Sequence, residues 1–316
     1  MFILRYSLAL SGILVAVVLL AACARFEERA PERSAPRGEA PVGTTMPTVN
    51  PRNVAVGDSL ESIMSAGVAR QYREHIPPSY QQNQPIPLVI NLHGYNSNAK
   101  QQENLSQMSV KADAAGFIVV YPEGLGDPQS WKFGSRTEGQ ADVTFIRDII
   151  QHMSSQFSID PNRIYVTGIS NGAEMSYRLA CDLADTIAAF APVAGGYPPF
   201  NDCQAARPIP VVAFHGTADH LLPYAGKPPL LQPVHDWATS WAARNGCAPT
   251  PTISFQKNDV TGETWGNCRD GTDVTLYTIA GKGHSWPGSS MPAQITTHEI
   301  NATDVIWEFF AAHPKR

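Results

Sequence analysis

The run Gly168-Ile169-Ser170-Asn171-Gly172 constrains this chain more than any other stretch. A strand-like run, Arg163-Ile164-Tyr165-Val166-Thr167, leads into it. A helix-like run from Ala173 to Ala184 follows, with Met175, Leu179 and Leu183 four residues apart. A serine between two glycines at a strand-to-helix turn is the pattern of a nucleophile elbow. The turn is tight, and side chains at 168 or 172 would crowd it. The serine stands at the positive end of the following helix. Three fixed letters recur by chance, and an ordinary glycine turn with a capping serine is the competing reading. The strand–turn–helix setting favours the elbow and makes Ser170 the candidate nucleophile.

A nucleophilic serine needs a base and an acid to orient it, and in this architecture they follow in the order Ser, Asp, His. Pro210-Val211-Val212-Ala213-Phe214-His215 reads as a short buried strand, and Asp219 lies on the loop beyond its carboxyl end. Val274-Thr275-Leu276-Tyr277-Thr278-Ile279 alternates as a strand does, and its glycine-rich exit loop carries His284. Ligands of open α/β sheets bind outside the carboxyl ends of the strands, where all three candidates are expected to meet. Rival acids are Asp202, beside Cys203 in a loop, and Asp236, inside a helical stretch. The apolar strand 87–92 ends in His93-Gly94-Tyr95, where this fold supplies one oxyanion-binding amide; the residue after the nucleophile supplies the other. The amides of Tyr95 and Asn171 are therefore the candidate oxyanion hole, with His93 bracing the loop.

The rest of the chain alternates strand and helix. Strand-like runs lie at 68–76, 87–92, 117–121 and 190–194, and helical patterns at 101–114, 142–157, 234–245 and 303–312. That order predicts an α/β fold with a mostly parallel sheet covered on both faces. No internal repeat and no second domain is visible. Several aromatics lie on loops beyond strand ends. Trp286 follows His284 by two, Trp131 lies after the strand ending at Tyr121, and Tyr197 and Tyr224 lie beyond others. They are the candidate substrate platforms, against local packing as the plainer reading.

The N-terminus reads as a targeting segment. Arg5 supplies a positive start, and Leu8 to Leu20 is apolar and uncharged, too short for a comfortable membrane span. Leu20-Ala21-Ala22-Cys23 resembles a bacterial lipobox, so residues 1–22 are expected to be removed and Cys23 lipidated; a plain secretory signal or an uncleaved anchor competes. Residues 23–56 are proline-rich with alternating Arg and Glu, a composition that cannot bury enough apolar surface to order itself. They are expected to tether a catalytic domain at 57–316. Four cysteines remain, Cys181, Cys203, Cys247 and Cys268, and an even number in an exported domain reads as disulfides. Three pairings are open; joining sequence neighbours closes loops of similar length. The spacings lack the close ligand pairs of a zinc site. With 28 acidic against 23 basic residues, the chain has no electrostatic footprint for nucleic acid.

The segments LVINLHGYNSNA, GISNGAEMSYRLAC, APVAGG, VVAFHGTADHLLPY and GKGHSWPG together resemble the polyhydroxybutyrate depolymerase, feruloyl esterase and acetyl-xylan esterase group of bacterial α/β-hydrolases, over roughly residues 68–312. The resemblance implies an α/β-hydrolase fold, ester hydrolysis through Ser170, Asp219 and His284 without a cofactor, and the pairs Cys181–Cys203 and Cys247–Cys268. It leaves the ester open: feruloyl or acetyl esters of polysaccharide, hydroxyalkanoate polyester or oligomer, or short synthetic esters. The family often carries paired aspartates where Ala141-Asp142 has one; the helix there is expected to lie away from the reaction centre. The expected partners are thus an ester substrate and, through the lipid alone, a membrane, with the chain a monomer. Two other readings compete: an inactive surface-tethered binding protein, and a metal-dependent hydrolase using Asp219 with His215 or His220.

Overall fold

The computed structural model describes residues 56–316; the expected signal segment, Cys23 and the proline-rich stretch through residue 55 lie outside the described residues. In chain order the elements are β1 (Gly57–Ser65), β2 (Val68–Ile76), β3 (Ile86–Leu92), α1 (Ala99–Ser106), α2 (Met108–Ala115), β4 (Ile118–Pro122), α3 (Arg136–Gln156), β5 (Ile159–Ile169), α4 (Asn171–Asp182), β6 (Ala189–Val193), β7 (Val211–Gly216), α5 (Val234–Asn245), β8 (Thr252–Lys257), β9 (Val260–Trp265), β10 (Val274–Ile279) and α6 (Ala302–Ala312). Among the described residues no helix is long and apolar enough to cross a membrane.

All seven residues of β3 are buried, as are all of β4, β6 and β7. Such unbroken apolar strands require cover on both faces. Leu88, Ile90 and Leu92 pack with α3, α4 and α5 residues such as Ile146, Leu179 and Trp237. Val89 points the other way, into a second core with Met108, Ala112, Ile306 and Phe310 from α2 and α6. Stacking of Tyr165 on Phe310, with ring centres 4.6 Å apart, joins β5 to α6 there. This is the α/β-hydrolase arrangement.

The ten strands run in the order β1-β2-β4-β3-β5-β6-β7-β10-β9-β8. The six central strands, β4 to β10, are parallel. The chain leaves β3 for β4 on one side and then crosses to β5 on the other, so strand order reverses between β3 and β5. Crevices at such reversals bind ligands at the strands' carboxyl ends.

Three strands were not legible: β1, β8 and β9. Antiparallel hairpins β1-β2 and β8-β9 close the two ends of the sheet. β1 alternates between exposed and half-buried residues, and β8 has no buried residue at all, so neither shows a buried period. The single helix expected at 101–114 is two, because Gln107 adopts φ 53° and turns the chain between α1 and α2. The helix expected from 142 begins at Arg136, with Ser135 accepting a hydrogen bond from the Glu138 amide as its cap.

The cysteines pair as Cys181–Cys203 and Cys247–Cys268. The first ties the end of α4 to the loop after β6, and the second ties the chain after α5 to the chain after β9. Each closes a loop of about twenty residues, which corresponds to roughly 3 kcal/mol through restriction of the unfolded chain. Replacing Cys181 and Cys203 together by serine is expected to lower unfolding free energy by about that amount. Urea denaturation monitored by tryptophan fluorescence would check it, and an unchanged midpoint would contradict it.

Candidate active site

Ser170 sits one residue beyond β5 with φ 57° and ψ −122°, a conformation that non-glycine residues rarely adopt. Neighbouring backbone holds it there. Its N–H donates to the Val193 carbonyl at the end of β6 (2.9 Å), and its carbonyl accepts the Glu174 amide (3.0 Å). The flanking glycines are required by close approach rather than by torsion. A Cβ on Gly168 would stand 2.7 Å from the Leu92 carbonyl oxygen, and one on Gly172 would stand 2.6 Å from that of His93. The end of β3 therefore lies directly against the β5–α4 turn.

Asp219 and His284 lie at the same edge. β6, β7 and β10 are in register with β5, pairing Ile169 with Val193, Val193 with Phe214, and Gly216 with Ile279. Asp219 is three residues past β7 and buried; His284 is five past β10 and half-buried. His284 Nδ1 donates to Asp219 Oδ2 at 2.7 Å. The other carboxylate oxygen, Oδ1, accepts the amides of Leu221 and Leu222, both at 2.9 Å. Burial works against the Asp219 charge, but the His284 hydrogen bond and the Leu222 amide outweigh it and hold the carboxyl below its ordinary value. The rival acids are engaged elsewhere or exposed. Asp202 pairs with Arg178 (2.8 Å) and accepts the Arg136 amide, and Asp236 is solvent-exposed in the first turn of α5.

The loop after β3 lines the other side. A Cβ on Gly94 would stand 3.4 Å from Ser170 Cβ, so the Gly94-Tyr95 backbone borders the serine directly. His93 is fully buried, donates from Nδ1 to the Gly94 carbonyl (2.7 Å) and accepts the Gly124 amide at Nε2 (2.9 Å). Those two bonds suit the neutral ring, and burial pushes its pKa down. Asn171 begins α4, and its side chain clamps the Trp131 backbone. Oδ1 accepts the Trp131 amide (2.6 Å), and Nδ2 donates to the Trp131 carbonyl (3.1 Å).

Three of the four expected aromatic platforms are corrected. Trp131 is 2% exposed, and its indole N–H donates to the His93 carbonyl (2.9 Å), so the ring is a brace behind the loop. Trp286 is 1% exposed and donates to Thr303 Oγ1 of α6 (3.0 Å), turned away into the second core. Tyr197 is buried and stacked on Trp237 with ring centres 3.7 Å apart. Tyr224 is half-buried, edge-on to His215 and bonded to Thr278. Two side chains on the loops that border Ser170 and hold Asp219 are exposed, Tyr95 (61% exposed) and Leu221 (67%), and Ile295 packs near Gly283. Indoles carry one donor each, and where the loop offers a buried carbonyl or hydroxyl the ring is drawn inward.

Other residues here gave little sequence signal. His215 donates from Nε2 to the Leu222 carbonyl (2.8 Å), and burial keeps it neutral, so it fastens the turn that holds Asp219. His220 is exposed. Among the described residues the one grouping with metal-ligand proximity is Asp58, His75 and Glu103, around β1, β2 and α1. There both ring nitrogens of His75 are already bonded, to Asp58 and Asp113. Glu174, one turn into α4, is 7% exposed. Burial pushes its carboxyl up to about 7 despite hydrogen bonds from the Asn171 side chain and the Gly196 amide. Asp142 lies nearer the reaction centre than expected: it accepts the Lys132 amide (2.8 Å) beside Trp131 and pairs with buried Arg70 (2.9 Å). Asp142→Ala should cost roughly 3–5 kcal/mol, since it strands a buried guanidinium. Thermal and urea unfolding would show it, and a variant as stable as the parent would mean the pair holds nothing.

Residues 70–206 match the family described as Esterase PHB depolymerase. Feruloyl esterase B of Piromyces equi is 35% identical over 228 residues, 66% of this chain and 41% of that protein, so the chain spans less than half of that relative. The "Putative esterase NocK" of Nocardia uniformis subsp. tsuyamanensis is 31% identical, with 93% of each chain covered. Among solved structures, an acetyl xylan esterase from Aspergillus awamori superposes with a TM-score of 0.60 at 16% identity, covering 80% of this chain and 99% of that one, a likeness of fold.

Proposed function

Because the chain belongs to the esterase PHB depolymerase family, we propose that it is an exported serine esterase that cleaves carboxylic esters through an acyl-enzyme, with Ser170, Asp219 and His284 as its triad. The observation that carries this is the 2.7 Å hydrogen bond from His284 Nδ1 to a buried Asp219, at the same sheet edge as the strained Ser170. With Nδ1–H given to the carboxylate, His284 Nε2 keeps its lone pair and takes the Ser170 proton. Ser170 Oγ bonds to the ester carbonyl carbon, and the amides of Tyr95 and Asn171 hold the oxyanion. The imidazolium returns its proton to the leaving alcohol as the C–O bond breaks. Water then repeats the sequence on the acyl-enzyme and releases the acid.

The relatives are named as a feruloyl esterase, an acetylxylan esterase/xylanase and a poly(3-hydroxyalkanoate) depolymerase, so feruloyl, acetyl and hydroxyalkanoate esters are the substrate classes proposed. Tyr95, next to Gly94 that borders Ser170, and Leu221, on the turn that holds Asp219, are both exposed and are the apolar side chains proposed to meet an acyl or aryl group. Hydrolysis of methyl ferulate, acetylated xylan, hydroxybutyrate oligomers and p-nitrophenyl esters, compared side by side, would rank them.

Ser170→Ala should lose on the order of 10⁴- to 10⁶-fold in turnover with the fold intact. Asp219→Asn makes the finer test. The Leu221 and Leu222 amides fix an acceptor at the Oδ1 position, so an asparagine must turn its NH₂ toward His284. That forces the wrong imidazole tautomer and should cost about 10⁴-fold in kcat. Steady-state kinetics would measure both. Either variant retaining more than about a tenth of parental activity would remove that residue from the mechanism.

The lipobox at Leu20-Ala21-Ala22-Cys23 supports a lipid anchor, and the two disulfides suit an oxidising compartment outside the cytoplasm. Cys23→Ala should move the protein from the membrane to the soluble fraction with ester turnover unchanged. Fractionation with mass spectrometry of the N-terminal peptide would test this; an unlipidated Cys23 and an unmoved variant would reject the anchor.

A further inference from the structure

Glu174 is the acidic residue of the first turn of α4, four residues after Ser170, and its N–H bonds the Ser170 carbonyl. Its carboxyl group is buried between the turn that carries Ser170 and the loop after β6. Glu174 Oε1, Leu222 Cδ2 and Leu231 Cδ2 all lie within 3.2 Å of the point where a Gly196 side chain would begin. Only a glycine leaves room there for the carboxyl. Its polar contacts are the Asn171 side chain and the Gly196 amide. Among the described residues no cation acts on it from a packed element. The loop after β6 brings Tyr197, which is itself near Tyr177 of α4 and Tyr224 of the loop after β7. α5 brings uncharged Trp237, stacked on Tyr197. Leu222 belongs to the turn that holds Asp219, with His284 and His215 on its other side. Arg178 of α4 is engaged by Asp182 and Asp202.

We propose that Glu174 is a positioning residue for the reaction at Ser170, acting through Asn171: the neutral acid supports ester hydrolysis, and the carboxylate opposes it. This rests on the reading of Ser170 as the nucleophile. The oxyanion forms against the Asn171 amide at the positive end of α4. A carboxylate in the first turn of the same helix opposes that potential where the second negative charge must appear. It also draws on Asn171 Nδ2, the group that donates to the Trp131 carbonyl and keeps the loop clamped.

The sign follows from the direction of the shift. Burial raises this carboxyl from its ordinary 4.5 to about 7, so its contribution to stability is intact below about 4.5 and is lost as pH rises through 7. The same rise should convert the site to its opposed form.

Turnover at saturating ester, from about pH 5.5 to about pH 9, would be compared for the parent, Glu174→Gln and Glu174→Asp. The expected result is a fall of about tenfold in the kcat of the parent, relative to Glu174→Gln, as pH passes 7, with KM little changed and the fall retained in Glu174→Asp. Superimposable parent and Glu174→Gln profiles would overturn the proposal. Should Glu174→Gln fail to fold, parent protein with ¹³C-labelled glutamate carboxyls is titrated by NMR. One carboxyl with a midpoint near 7 supports the proposal, and all midpoints below about 5.5 overturn it. Fluorophosphonate labelling keeps the two readings apart: an unlabelled Ser170 with Ser170→Ala still active defeats the reading of Ser170 as nucleophile whatever the glutamate does.

Discussion

The approach of the β5–α4 turn to the carbonyl oxygens of Leu92 and His93 governs the rest of the site. The contact exists because residues 168 and 172 lack side chains, and it brings the ends of β3 and β5 together at the reversal of strand order. Once those backbones touch, Ser170 is held at positive φ and Gly94 borders it. Close packing of this kind does not yield gradually, so the strain at Ser170 is retained rather than relaxed.

Around that contact the loops are joined by buried polar groups rather than by apolar filling. Asn171 holds Trp131, Trp131 holds the His93 carbonyl, and His93 holds Gly124. Asp142 joins Lys132 to Arg70 and so ties the same loop to α3 and β2. Directional bonds fix loops to a single arrangement, which dispersion contacts alone do not. Their cost is that each member, if lost, leaves a buried group unsatisfied.

The central strands and the strand-end positions of Ser170, Asp219 and His284 were legible because buried parallel strands write continuous apolar runs, or in β10 an alternating one, and their exit loops follow immediately. The hairpin strands β1 and β8 were not, since exposed residues carry no burial period, and the six residues of β9, VTGETW, mix buried and half-buried positions without an apolar run. Trp286 and Trp131 illustrate a different limit. Proximity to His284 or to a strand end says where a Cα lies, but the direction of an indole depends on the acceptor it finds, here Thr303 and the His93 carbonyl. Asp142 and the Asn171 side chain bond to Arg70 and Trp131, far away in sequence, and Glu174 is buried against Gly196 of another loop, so no local pattern marks what they touch.

The inward turn of Trp286 has a consequence for the order in which this chain becomes competent. Its indole bonds Thr303, whose hydroxyl bonds the Ser106 carbonyl at the end of α1, 197 residues earlier. The Ala302 amide bonds the Pro287 carbonyl, just after Trp286. The loop bearing His284 is thus moored to a helix that is made after it. During synthesis the sheet and the Ser170 turn can assemble first; that loop can bond Asp219, Thr217 and Ala218 as soon as it is made, but it gains its Thr303 and Ala302 mooring only when residues 302–312 have emerged. A nascent chain would carry its elbow well before it carried a fully moored histidine loop.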